Sequence, residues 1–108
     1  MTSNSNKSGK FTFKGISAHA AGSPELGRSA LDGVEAMNMM VNMMREHVPQ
    51  ESRLHYVITK GGLAPNVVPD LAEVYYYVRH PNMQMVDELF QRVVKAANGA
   101  AQGTETSM

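Results

Sequence analysis

Residues 71–79 read LAEVYYYVR. Val74, Tyr76 and Val78 share one face, while polar or amphipathic side chains occupy most positions between them. Alternation with a period of two predicts a strand that is buried on one face only. Pro81 follows and ends the strand. We therefore expect a sheet that packs one face against a core.

The same alternation predicts two more strands, at residues 10–16 and 53–60. Gly61 and Gly62 break the second of these. Residues 104–108 could begin a fourth strand. Residues 1–9 are rich in Ser, Asn and Lys, which predicts a disordered linker or a cloning remnant. The domain is therefore expected to cover residues 10–108.

Two helices are predicted between the strands. Ser23, Pro24 and Glu25 form a start signal with Ser23 as the cap, so the first helix should run from residue 24 to about residue 47. The second should run from about residue 83 to residue 98, with Asn82 as its cap and Gly99 at its end.

This order of elements, β-α-β-β-α-β, predicts an α+β fold of the ferredoxin-like kind. Two helices would cover one face of an antiparallel sheet, and the last strand would be cut short. In this topology the first and last strands are neighbours, so the two chain ends should lie close together.

The composition excludes several functions. Among 108 residues, ten basic and ten acidic side chains cancel, so no global field attracts nucleic acid or an anionic membrane. No cysteine is present, which excludes disulfides, thiolate catalysis and Cys-ligated zinc. No apolar run approaches the ~20 residues of a membrane span. These features predict a cytoplasmic protein with no membrane or nucleic-acid partner.

His19 is the first candidate site residue. It lies in a loop of small residues, 17–22, which leaves its imidazole unshielded. The other histidines have ordinary explanations: His47 lies at a predicted helix end, His55 on a strand surface and His80 in a turn. Taken alone, a loop histidine such as His19 is still more often solvated than functional.

Asn66 and Arg79 are the other two candidates. Asn66 lies between two prolines that fix the backbone, so it could present its amide or simply accept a turn conformation. Arg79 ends a strand and could bind a carboxylate through a bidentate fork, or form a surface pair with Glu73 or another acidic residue. No cluster of His, Asp and Glu has metal-binding spacing, and no nucleophilic triad or phosphate loop is present.

Three spaced motifs together resemble one family. They are Phe13-Lys14-Gly15 leading into Ser17-Ala18-His19-Ala20, then Gly61-Gly62 with Pro65-Asn66-Val67-Val68-Pro69-Asp70, and finally Val78-Arg79. Their order is similar to that of the lid, or dimerisation, domain of the zinc-dependent aminoacylase/carboxypeptidase G-type amidohydrolases. The sequence of residues 20–32 is most similar to the p-aminobenzoyl-glutamate hydrolase-like branch of these metallopeptidases. The resemblance covers residues 10–106.

This resemblance implies a division of labour. His19 would be catalytic and would stabilise the oxyanion at the active site of a second subunit, while Asn66 and Arg79 would hold the carboxylate of a small-molecule substrate. A catalytic domain outside this chain would hold two divalent metal ions, usually zinc; no metal ligand or other cofactor site is expected here. The partners would be that domain and a second copy of the lid, which would pair through the strand at 53–60 and the methionine-rich first helix. The expected reaction is cleavage of an amide bond to an acidic amino acid, which this chain alone should not perform.

Two other functions remain open from the residues themselves. The chain could be a free-standing regulatory module that binds a small ligand or a partner. It could also bind RNA, because the strand order matches and Tyr75 and Tyr77 could stack on bases, although the zero net charge argues against this.

Overall fold

The computed structural model describes residues 5–108. Its elements are, in chain order, β1 (Ser5–Lys14), a 3₁₀ turn (Pro24–Leu26), α1 (Ala30–Met44), a second 3₁₀ turn (Arg45–His47), β2 (Arg53–Lys60), β3 (Leu71–His80) and α2 (Met83–Thr104). The three strands form an antiparallel sheet in the order β1-β3-β2. The predicted α+β ferredoxin-like fold class is confirmed.

The core lies between one face of the sheet and the two helices. Its largest fully buried side chains include Phe13 from β1, Met37 from α1, Tyr76 from β3 and Leu89 from α2. The Tyr76 hydroxyl donates a hydrogen bond to Oδ1 of buried Asn38 at 2.5 Å. Burial raises the pKa of Tyr76 above its usual value. The other face of the sheet, called the open face below, is not covered by the helices.

The N-terminal prediction is wrong for residues 5–9, which belong to β1 and pair with residues 76–80 of β3. Their polar composition suits an edge strand, where alternate side chains face solvent. Gly9 fits closely beneath α2, because an added Cβ would lie 2.9 Å from Cζ of Phe90. Lys7 also covers the Phe90 ring, with Nζ 4.9 Å from its centre. The part of this prediction that concerns residues 1–4 falls outside the described residues.

The first helix begins six residues later than predicted, at Ala30 rather than Pro24. Ser23 makes no capping hydrogen bond with its side chain, whereas Ser29 accepts one from the Asp32 amide. Between the two serines, Arg28 exchanges backbone hydrogen bonds with Ile16 at 2.8 and 2.9 Å. This tertiary pairing needs extended backbone and therefore interrupts the predicted helix.

The C-terminal region also differs from prediction. Helix α2 continues past Gly99 to Thr104, because Ala100 and Ala101 are still buried against the core. Glu105 then adopts a left-handed conformation with φ of 59° and ends the helix. The possible fourth strand is reduced to one bridge, in which Ser107 and Lys14 exchange two backbone hydrogen bonds. This bridge lies beside β1, where the fourth strand of the fold would pair.

Candidate functional site

The structure brings His19 and Asn66 together. The loop of His19 and the loop between β2 and β3 are joined by a bridge between His19 and Val67. The Ala20 amide donates to the Asn66 carbonyl at 3.0 Å, and the Val68 amide donates to the Ala18 carbonyl at 2.9 Å. Backbone hydrogen bonds therefore fix the two loops side by side.

The side chains of His19 and Asn66 are both exposed and make no hydrogen bond to any described residue. Gly22 lies beside the imidazole, and an added Cβ there would make an ordinary contact of 3.7 Å with Nδ1 of His19. The main chain beneath it is constrained, because the His19 carbonyl accepts from the amides of Gly22 and Ser23. The loop thus holds an exposed polar ring on a defined backbone.

Apolar side chains surround this end of the molecule. Leu63 is fully exposed, and Ile16, Leu26 and Val67 are 56%, 67% and 39% exposed. Beside them lies an open hollow of about 430 Å³, between Ser17 and the residues that connect β2 to β3. Exposed apolar side chains around unpaired polar groups are typical of a surface that contacts another protein surface.

Arg79 lies at the opposite end of the sheet. Strand β3 leaves the Asn66 loop at Leu71, and Arg79 follows eight residues later. At 3.4 Å per residue, that separation is about 27 Å. The structure therefore does not bring Arg79 together with His19 and Asn66 within one chain.

Arg79 lies against an aromatic ring and is partly buried. Its guanidinium carbon lies 5.4 Å from the centre of the Tyr77 ring. Its Nε is buried and has no hydrogen-bond partner among the described residues. The alternative pairing with Glu73 does not form, because the two residues are six positions apart on β3, about 20 Å at 3.4 Å per residue. The Glu73 carboxylate accepts instead from the hydroxyls of Thr12 and Thr59 at 2.8 and 2.9 Å. These hydrogen bonds hold the pKa of Glu73 below its usual value.

Sequence reasoning did not single out Arg53, which lies directly opposite Arg79 on β2. The alternation in each strand predicts that both arginines lie on the open face. Their proximity depends on the register between β2 and β3, for which the sequence carries no direct signal.

The other histidines lie elsewhere. Nδ1 of His80 accepts from the Asn82 amide at 2.9 Å, which is a turn contact at the start of α2. His55 is exposed on β2, and His47 is exposed at the end of the second 3₁₀ turn. Within residues 5–108, no three His, Asp or Glu side chains lie close enough to hold a metal ion. None of the helices in that same range is long and apolar enough to cross a membrane.

A second surface is formed by α1 and β2. β2 is an edge strand whose free side has no partner in the described sheet. It exposes Val57 and Ile58, at 60% and 45%. On the neighbouring face of α1, Met39 and Met43 are 61% and 66% exposed. An unpaired strand edge next to exposed methionines is suited to association with another chain.

The sequence of this chain is similar to parts of known amide-cleaving enzymes. The chain is 53% identical over 97 residues to one of the subunits of p-aminobenzoyl-glutamate hydrolase from Escherichia coli, a match that covers 89% of this chain and 20% of that protein. It is 30% identical to a mouse Xaa-Arg dipeptidase over 92 residues, which cover 85% of this chain and 21% of the dipeptidase. The chain thus spans about a fifth of the length of these relatives.

Solved structures give the same result. The crystal structure of an aminobenzoyl-glutamate utilization protein from Klebsiella pneumoniae superposes with a TM-score of 0.79 and 26% identity, over 94% of this chain and 26% of that one. A family model of the peptidase dimerisation domain matches residues 2–105. The resemblance noted from the three motifs is therefore confirmed, and the chain belongs to the peptidase dimerisation domain family.

Proposed function

We propose that this chain is the lid and dimerisation part of a metal-dependent amidohydrolase that cleaves an amide bond to an acidic amino acid. The observation that carries the proposal is the placement of His19 and Asn66 on two joined loops, where both side chains are exposed and have no hydrogen-bond partner within residues 5–108. The likeness to a p-aminobenzoyl-glutamate hydrolase supports the choice of substrate. Family membership favours this function over a free-standing regulatory module or an RNA-binding domain.

In the proposed reaction, an N–H group of the His19 imidazole donates to the oxyanion that develops from the scissile carbonyl. A donor aimed at such an oxyanion typically contributes about 10²–10³-fold to kcat. Asn66 and Arg79 help to bind a substrate carboxylate, Asn66 through its amide and Arg79 through its guanidinium. The divalent metal ions of the reaction would be held by a catalytic domain, because the described residues do not offer a ligand set.

Two copies are needed to complete this site. β2 begins beside Arg79, through the Arg53–Arg79 pair, and ends at Lys60, next to the loop of Asn66. If two β2 edges pair antiparallel about a two-fold axis, the Arg79 end of one copy comes beside the His19–Asn66 end of the other. We infer that each active site takes Arg79 from one copy and His19 with Asn66 from the other.

The test of His19 uses the full-length enzyme that contains this lid, with p-aminobenzoyl-glutamate as substrate. For His19→Ala we expect kcat to fall about 10²–10³-fold with a smaller change in KM, because the lost contact forms mainly in the transition state. His47→Ala is the matched control, since that histidine is exposed and lies on another part of the chain. An unchanged kcat for His19→Ala would refute the assigned role.

Mixed dimers test the shared site. His19→Ala and Arg79→Gln homodimers should both have low activity. A mixed dimer keeps one site in which both residues are intact, so random mixing should recover about a quarter of the wild-type rate. If all of these groups acted within one copy, mixing would restore nothing.

A further inference from the structure

Two arginines lie side by side on the open face of the sheet. Arg53 of β2 and Arg79 of β3 are directly opposite each other in the antiparallel register, and Asn6 of β1 is opposite Arg79 on its other side. Side chains directly opposite in such a pair have Cβ atoms about 4.5–5.5 Å apart. The two arginine side chains therefore start from neighbouring positions on the open face.

Neither arginine has an acidic partner. The ion pairs among residues 5–108 are Lys7–Asp87 and Arg28–Glu105, and both lie elsewhere. Like charges placed directly opposite each other destabilise a sheet. The buried, unpartnered Nε of Arg79 adds a further unfavourable term. An anion bound by both side chains would relieve the repulsion between their charges.

The two guanidinium groups are also held in position. Nη1 of Arg53 donates to the carbonyls of Gln50 and Ser52 at 3.0 and 2.7 Å, which leaves its Nε and Nη2 free to bind a ligand. The Tyr77 ring lies against the guanidinium of Arg79 and limits its motion. Two positioned forks with free N–H groups can each bind one carboxylate.

We propose that Arg53 and Arg79 together bind a dicarboxylic amino acid, one carboxylate on each arginine, and that Arg53 thereby sets the preference for an acidic amino acid. The proposal rests on the proposed function, which assigns a substrate carboxylate to Arg79. Glutamate has two carboxylates on a short spacer, which suits two neighbouring cations. A substrate with a neutral side chain would leave Arg53 without a partner and the two arginines in repulsion.

The experiment measures kcat/KM of the full-length enzyme for a matched pair of substrates, N-(p-aminobenzoyl)-glutamate and N-(p-aminobenzoyl)-glutamine. These differ in one charge and have nearly the same shape. Arg53→Gln should lower kcat/KM for the glutamate substrate about 10–100-fold, mainly through KM, and leave the glutamine substrate unchanged. Arg53→Lys should restore part of the preference, because the positive charge is kept but the fork is lost.

Lys95→Gln is the control for net charge, because this exposed lysine lies on α2 away from the open face. The Lys95→Gln variant should have unchanged kcat/KM for both substrates. If Arg53→Gln lowers kcat/KM equally for both substrates, or for neither, the role of Arg53 is refuted while the proposed function stands. If Arg79→Gln also leaves kcat/KM unchanged for both substrates, the assignment of a substrate carboxylate to Arg79 is refuted as well.

Discussion

Gly33 should not tolerate a methyl group, although it lies within a helix. Its position in α1 is buried against β1, and an added Cβ would lie 2.5 Å from Cδ2 and 3.1 Å from Cε2 of Phe13. Normal contact between carbon atoms is about 3.5–4.0 Å. The helix or the ring would therefore have to move by about 1 Å, and Phe13 is completely buried.

Two opposing effects decide whether Gly33→Ala raises or lowers the free energy of unfolding. Alanine is favoured over glycine in a helix interior by about 0.8–1.0 kcal/mol. Overpacking a tight core costs about 1–3 kcal/mol. The free energy of unfolding should therefore fall by up to about 2 kcal/mol, which corresponds to a Tm lower by about 4–8 °C for each kcal/mol.

Gly99→Ala is the matched control. This glycine also lies inside a helix, but an added Cβ would meet only the flexible Met40 side chain, at 3.8 Å from its sulfur. Only the helix preference then acts, so Gly99→Ala should stabilise the chain by up to about 1 kcal/mol. Thermal and urea unfolding of both variants would be compared with the unmodified chain.

A substitution of the opposing ring completes the test. In the Gly33→Ala background, Phe13→Leu should cost less than it does alone, because the smaller side chain makes room for the methyl group. If Gly33→Ala stabilised the chain as much as Gly99→Ala does, the close packing of α1 on β1 would be wrong.

Two further predictions concern buried and pH-dependent hydrogen bonds. Tyr76→Phe should lower the free energy of unfolding by about 1–3 kcal/mol in urea titrations, because it leaves the buried Asn38 oxygen without its donor; wild-type stability would contradict this. The folded-state pKa of Glu73 is lowered by Thr12 and Thr59, so its ionised form stabilises the fold above the unfolded pKa, and this contribution disappears as the pH falls through the folded pKa. The Tm of Glu73→Gln should accordingly decrease less than that of the wild type between neutral pH and pH of about 3, and equal decreases would refute the linkage.

Local patterns predicted β2 and β3 well, because the alternation of side chains and the glycines or proline that end a strand act within a few residues. β2 has the predicted bounds, Arg53–Lys60, since alternation defines the strand and the two glycines end it. The predicted start of α1 was wrong because a contact from outside the local sequence acts there. Ser23 and Pro24 satisfy a local capping rule, but Arg28 pairs with Ile16, which is distant from it along the chain. A tertiary hydrogen bond overrode a local preference, and the sequence pattern carries no information about that bond.

The candidate site shows the same limit. His19 and Asn66 were singled out from loop composition and motif order, yet their adjacency depends on backbone bonds between two loops. The distance of Arg79 from both depends on the length and direction of β3. Residue types identify candidates, whereas register and strand direction decide which of them can meet.

The length of β3 explains why the proposed site has to be shared between two copies of the chain. It separates the two functional ends of an elongated molecule, 57 × 21 × 19 Å, by most of the length of the sheet. A small amide substrate cannot reach across that distance within one copy. A two-fold axis at the β2 edge reverses the direction of the second sheet and so places unlike ends side by side, twice per dimer. In the proposed arrangement each copy would supply an oxyanion donor to one site and a carboxylate binder to the other, so that a single isologous interface would complete both sites.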